Sequence, residues 1–299
     1  MEVKAMKCER AERAEVGKSG SLRAAYVLSA IAAALSTAVS FVGLVFPGVY
    51  QGNWGGGVAA GNDLVTLVAA VPLLVTAMVW STRGSVRGRL LWLGTLYFMV
   101  YNYAFYVFGI PVTKLYVMWI GILVFAAYSC ALGLGNLDVE EIQRCFSRRT
   151  PRRIVGSYMI FVAVMVGYLW ISRWVKFVQT GTIPDVNGSA FAYQVIAAVD
   201  LVFLVPMFAV AGYLLTRRLP WGDVLGVVGL VQGAIYLAVM AAVCVAGWRL
   251  APGSQLWSGW MINCVVNCGL CLAGLVALLA GVKRPGRDFD VTEGIACVE

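Results

Sequence analysis

The chain has 299 residues, of which 61% are hydrophobic and 13% charged, and its mean hydropathy is +0.81. A water-soluble domain carries roughly 25% charge, so a soluble globular fold is excluded. The net charge of +8 comes without a single histidine. That absence excludes His-ligated haem, HExxH zinc chemistry, Ser-His dyads and histidine proton relays.

Crossing a ~30 Å hydrocarbon core takes about 20 helical residues. Residues 1–23 mix Lys and Arg with Glu9, Glu12 and Glu15 and are expected to form a short cytoplasmic segment, mobile or interfacial. The first apolar run is Ala24–Phe46. With no cleavage site between a charged start and a short apolar core, it reads as an anchor rather than a removed signal peptide. The runs that follow are Asp63–Trp80, Leu90–Ile110 and Leu115–Leu134. A basic linker, residues 135–153, divides the chain, and its Leu137–Arg144 portion predicts a short interfacial helix. Beyond it come Ile154–Ile171, Val195–Leu215, Val224–Ala246 and Trp260–Val282, then a tail, residues 283–299. Backbone groups in lipid must be satisfied within the segment, so these runs predict helices. A β-barrel would need alternating ten-residue segments instead. The predicted fold class is all-α: a polytopic integral membrane protein with eight transmembrane helices.

Orientation follows from the basic residues. With the N-terminus inside, the inner segments hold six before the first run, Arg83, Arg87 and Arg89 in the first inner turn, and Arg144, Arg148, Arg149, Arg152 and Arg153 in the linker. Arg217, Arg218, Lys283, Arg284 and Arg287 complete the inner set, and only Lys114, Arg173, Lys176 and Arg249 fall outside. This bias puts both termini in the cytoplasm of a cell-membrane protein. It also accounts for the net charge through contact with anionic headgroups, so no nucleic-acid partner is called for.

The two sides of the linker read as a degenerate repeat. Asp63-Leu-Val-Thr-Leu-Val matches Asp200-Leu-Val-Phe-Leu-Val at all but one position, and Pro72 or Pro206 follows within the same run. Each run is preceded by an outer loop, Pro47–Asn62 or about Ser172–Gln194, and ends at a basic inner turn. Four spans per half return the chain to the same side. Units 24–134 and 154–282 are therefore expected as parallel four-helix repeats about an axis along the membrane normal.

A carboxylate within a span is a functional-site hypothesis by default. Asp200 lies about 7 Å inside its run at 1.5 Å per residue. Asp63 stands at the start of its run, where a helix N-cap accounts for it equally well. Asn102 and Tyr106 share a face at i, i+4, as do Asn263 and Asn267, while Gln232 lies near mid-depth and Lys114 at an outer end. The candidate ligand-binding or coupling residues are Asp200, Asp63, Asn102, Tyr106, Asn263 and Asn267, with Asn263, Asn267, Asn102, Tyr106 or a bound cation as the expected partner of Asp200. Inter-helix hydrogen bonding or an outward-open cavity explains the group equally well. Cys264, Cys268 and Cys271 share one helical face and read as packing residues rather than metal ligands. No cofactor or metal is implied. Outside, the Gly52-Asn-Trp-Gly-Gly-Gly stretch reads as an ordinary flexible loop before it reads as a lid over an outer cavity, and Asn187-Gly-Ser matches a glycosylation sequon.

At Gly61-Asn-Asp-Leu-Val-Thr-Leu-Val, Tyr101-Asn-Tyr-Ala-Phe-Tyr and Leu219-Pro-Trp-Gly-Asp-Val-Leu the chain resembles a group of uncharacterised prokaryotic multi-span membrane proteins. The resemblance implies a membrane protein of this architecture and carries no activity or catalytic residue. Three functions remain open: a transporter-like or small-ligand-binding protein taking a small molecule or an ion; a non-catalytic structural, sensory or assembly subunit; and an enzyme acting on a lipid or isoprenoid. The last is disfavoured, because two carboxylates can hold Mg²⁺ on a phosphate, but no tight DxxD pair occurs within a span.

Overall fold

The computed structural model describes residues 2–50, 58–186, 189–250 and 255–282. Residues 52–57, Asn187 of the sequon and the tail 283–299 lie outside them. Among the described residues the fold is all-helical, and eight helices are long and apolar enough to cross a membrane. Span one is Gly20–Val45, the continuation of a helix that begins at Glu2. Spans two to four are Ala59–Thr82, Val86–Gly109 and Tyr116–Gly135. Spans five to eight are Arg152–Thr180, Ala190–Thr216, Pro220–Ala246 and Gly259–Ala280. In the linker, the short helix Val139–Cys145 forms, its first turn capped by the Asp138 side chain, which accepts from Glu141 N at 2.9 Å.

Helix ends depart from the apolar runs in a consistent direction. The helix of span two begins at Val58, five residues before Asp63, and span five runs on to Thr180 rather than stopping near Ile171. An apolar run stops where the bilayer stops, but the hydrogen-bond ladder continues until something breaks it. For span five that is Gly181, whose φ of 68° is left-handed and whose N–H closes on Phe177 O. The outer loops are correspondingly shorter than Pro47–Asn62 and Ser172–Gln194.

Lipid tails are as apolar as leucine, so close packing has to hold the bundle together. Small residues permit it. Gly94 receives Val231, and Gly156 and Gly212 let spans five and six approach until backbone meets backbone. Spans three and seven are the most buried and form the centre, packing against each other. Span two lies on span seven, and the first part of span six lies on span three. Exchanging the halves converts the first of these contacts into the second. One pair breaks the pattern: spans one and four lie along each other, whereas spans five and eight make only glancing contact, through Tyr158 with Asn267 and Cys271.

One end of the bundle carries the linker and the basic turns. There Asn136 Nδ2 donates to Ser21 Oγ, Tyr26 pairs with Ser81, and Arg87 donates to Val282 O. Arg152 makes two parallel bonds to Asp223, Nε to Oδ1 at 2.6 Å and Nη2 to Oδ2 at 2.8 Å, with both side chains nearly inaccessible. The guanidinium also lies over the Phe146 ring. Span five, span seven and the linker are thereby tied at one point, and leaving either charge without its partner would cost about 3–5 kcal/mol.

Candidate functional site: two enclosed carboxylates

Span three presents two tyrosines to two carboxylates. Tyr101 and Tyr106 are five residues apart, which puts them about 140° apart around a helix of 3.6 residues per turn. Tyr106 faces Asp63 and Tyr101 faces Asp200.

Asp63 sits in the second turn of its helix rather than at the cap position. Its Oδ2 accepts from Tyr50 OH at 2.6 Å and its Oδ1 from Tyr106 OH at 3.3 Å. Tyr50 is delivered by the 3-10 turn Pro47–Val49 that closes span one. Its ring stacks on Trp119 of span four, and Tyr106 meets the same indole edge-on. Beside Asp63, Asn62 Nδ2 donates to Asn102 Oδ1 at 2.8 Å, and Thr66 Oγ1 donates to Asn62 Oδ1. Gly43 completes the enclosure, since a Cβ there would run into the Asp63 carboxylate and the Tyr50 hydroxyl. Every one of these groups comes from the first half of the chain. Ser40 Oγ, Asn102 Nδ2 and Trp119 Nε1, also buried in this half, have no hydrogen-bond partner among the described residues.

Asp200 accepts from Tyr101 OH and, at Oδ2, from Trp170 Nε1 at 2.8 Å. Tyr101 comes from the first half and Trp170 from the second. Tyr236 of span seven packs edge-on against Tyr101, with ring centroids 4.9 Å apart. Trp170 is held on its other sides by Tyr193, whose hydroxyl donates to Trp170 O, and by Arg173, stacked over its ring at 5.5 Å. The Trp170 ring also walls an open cavity of about 670 Å³ between spans five and six, lined further by Trp174, Phe177, Phe191, Tyr193 and Leu201. The cavity lies at the end of the bundle away from the linker.

Both carboxylate-bearing helices are broken by a single π-turn, Thr66–Ala70 in span two and Asp200–Leu204 in span six, each followed by Val-Pro. The bonds that define the turns are Val71 N to Thr66 O and Val205 N to Asp200 O. Proline supplies no N–H and crowds the preceding turn, and one extra residue relieves both problems. Counted from the prolines, Asp200 corresponds to Thr66 and not to Asp63. The repeated Asp-Leu-Val segment is therefore three residues, nearly one turn, out of step with the backbone feature the two spans share.

Asn102 and Tyr106 thus belong with Asp63, and the expected partnership of either with Asp200 is not formed. Asn263 and Asn267 lie elsewhere. Asn263 is exposed on span eight, and Asn267 Nδ2 donates back to Asn263 O at 2.9 Å and to its Oδ1 at 3.0 Å. Neither reaches Asp200: the partners of Asn267 are Asn263 and Tyr158 of span five. Lys114 is exposed, and Gln232 is wholly buried. Cys264 and Cys271 are buried in the bundle, and Cys268 Sγ donates to Ala234 O of span seven at 3.4 Å. The residues that sequence reasoning missed are Tyr50, Tyr101 and Trp170. Tyr101 was visible as the first residue of Tyr101-Asn-Tyr-Ala-Phe-Tyr, but on the face opposite Tyr106.

No family model, curated protein or solved structure matches the chain.

Proposed function

We propose that the chain is a multi-pass protein of the cell membrane, with both termini cytoplasmic, that binds a small molecule or ion on a transporter-like scaffold of two parallel four-helix halves. One observation carries this reading: Trp170 donates its indole N–H to Asp200 while its ring walls the open cavity. A ligand in that cavity lies against Trp170. Any turn of the indole removes one of the two donors that Asp200 holds and leaves a buried carboxylate in need of a proton, a cation or a polar ligand group. Asp200 is then the coupling residue, Trp170 and Tyr101 position it, and the π-turn beginning at Asp200 supplies backbone freedom where π-turns often accompany function. The near-exchange of contacts between halves and the proline-bounded π-turns support the parallel repeat. The basic residues support the orientation.

The second reading, a non-catalytic structural, sensory or assembly subunit, draws its support from Asp63, whose donors Tyr50 and Tyr106 both belong to its own half. The lipid-modifying reading gains nothing, because Asp63 and Asp200 meet faces of span three about 140° apart and do not converge on one Mg²⁺ ion. The test is a thermal-shift screen of purified protein against small molecules and cations across pH, comparing wild type with Asp200→Asn. A stabilising compound whose effect depends on pH or cation in wild type, and loses that dependence in a folded Asp200→Asn variant, is the expected result. Identical responses in the two proteins would reject the coupling role.

A further inference from the structure

Gln232 stands near the middle of span seven with 0% of its surface accessible, and neither Oε1 nor Nε2 has a hydrogen-bond partner among the described residues. Burying an amide without partners costs about 2–7 kcal/mol against apolar surroundings. Of the polar side chains in spans three and seven, it is the one left wholly unsatisfied at both atoms.

Its direction is fixed by its neighbours. Val231 packs into Gly94 of span three, and Gly233 packs against Phe208 of span six. Gln232 lies about 100° from each around the helix, so it faces the wedge where spans three, six and seven meet. Tyr236, one turn away on the same side, meets Tyr101, and Tyr101 donates to Asp200. Asp200, Tyr101, Tyr236 and Gln232 therefore form a descending polar series, with the last step covering about 6 Å toward the linker end at 1.5 Å per residue. Below Gln232 the buried face of span seven is apolar through Val228, Val227 and Val224, until Asp223 meets Arg152.

We propose that Gln232 is the inner station of a polar path that begins at Asp200: a binding site for water or a ligand group of the same size and hydrogen-bonding capacity, filled when the bundle opens toward the linker end. The proposal rests on the reading of Asp200 as the coupling group and extends it to the middle of the membrane. An amide has two donors and an acceptor, which suits a passing polar group better than a fixed ion. The apolar stretch down to Val224 closes the path in the conformation described, as the cavity at the other end is open.

The test is solvent access. Gln232→Cys and Leu230→Cys, the latter replacing an equally inaccessible leucine, are exposed in membrane vesicles to 2-aminoethyl methanethiosulfonate, whose thiosulfonate sulfur is attacked by the thiolate with loss of methanesulfinate. Peptide mass distinguishes the new cysteine from the native ones. Modification of Gln232→Cys at least tenfold faster than Leu230→Cys is expected, and equal rates would overturn the proposal. Should Gln232→Cys fail to fold, radiolytic hydroxyl labelling of the wild-type protein in liposomes reads the same site. Phe208, packed against Gly233 beside Gln232 and as inaccessible as Phe98, should then be oxidised well above Phe98, and parity would again overturn the proposal. Fast modification at 232 together with an Asp200→Asn variant indistinguishable from wild type would keep the water site and reject the coupling role. Slow modification together with an Asp200-dependent ligand response would do the reverse.

Discussion

Asp63 and Asp200 open the same Asp-Leu-Val segment in two spans of the same length class, yet they live in different surroundings. Asp63 is enclosed by Tyr50, Tyr106, Asn62 and Gly43, all from the first half. Asp200 is held by one residue from each half, and one of those two, Trp170, borders open space. A rigid movement of one half against the other leaves the bonds of Asp63 intact and strains the Tyr101 bond of Asp200, while Trp170 moves with the carboxylate. Two carboxylates with one sequence context are thus separated by who donates to them: the first is a fastening within a unit, the second a contact between units.

Substitutions can break or sharpen that contrast. The largest effect is expected for Asp63→Leu, which strands two buried tyrosine hydroxyls at about 1–3 kcal/mol each. Loss of most of the folded protein in detergent, or a melting temperature lowered by many degrees, is the expected reading, and a stable Leu variant would show that the enclosure is not a fastening. Gly43→Ala should cost about 1–3 kcal/mol through overpacking against the same carboxylate, measured by thermal unfolding, with no change in any ligand response. Asp200→Asn keeps an acceptor for Tyr101 and should cost about 1 kcal/mol while removing ion- or pH-dependent binding. An equal stability loss at the two aspartates would erase the distinction. Trp170→Phe keeps the cavity wall and deletes one donor, so a loss of about 1 kcal/mol with altered pH dependence of ligand binding is expected. Lys114→Ala, at an exposed position, should lie within about 0.5 kcal/mol of wild type.

Much of the fold was legible because lipid leaves few choices: eight long apolar runs become eight helices, and their order fixes which ends meet. The ends themselves were less legible, since composition reports where hydrocarbon stops and not where Gly181 interrupts the ladder. The aspartates could be nominated from charge alone. Their partners could not. An i, i+4 face on span three pointed to Asn102 and Tyr106 as companions of Asp200, but which neighbour each face of a central helix meets is decided by tertiary packing, and Tyr101 looks the other way. Trp170 stood in the last turn of the apolar run Ile154–Ile171, where an indole usually signals the bilayer surface. Nothing in one sequence distinguishes that role from a bond to a carboxylate 30 positions later. The near-identical Asp-Leu-Val segments were misleading in one respect: the prolines, not the aspartates, keep the register of the two broken helices.

The Arg152–Asp223 pair has a consequence for how the chain is made. The two residues are 71 positions apart. At about 5–20 residues per second, Arg152 waits on the order of ten seconds for its carboxylate to be synthesised. On the proposed orientation, its charge is therefore unmasked while span five is being inserted and contributes fully to holding the linker on the cytoplasmic side. Only when span seven arrives is it neutralised and withdrawn from water. One arginine can thus serve two successive purposes, first as an address for the growing chain and then as a seal on the finished one.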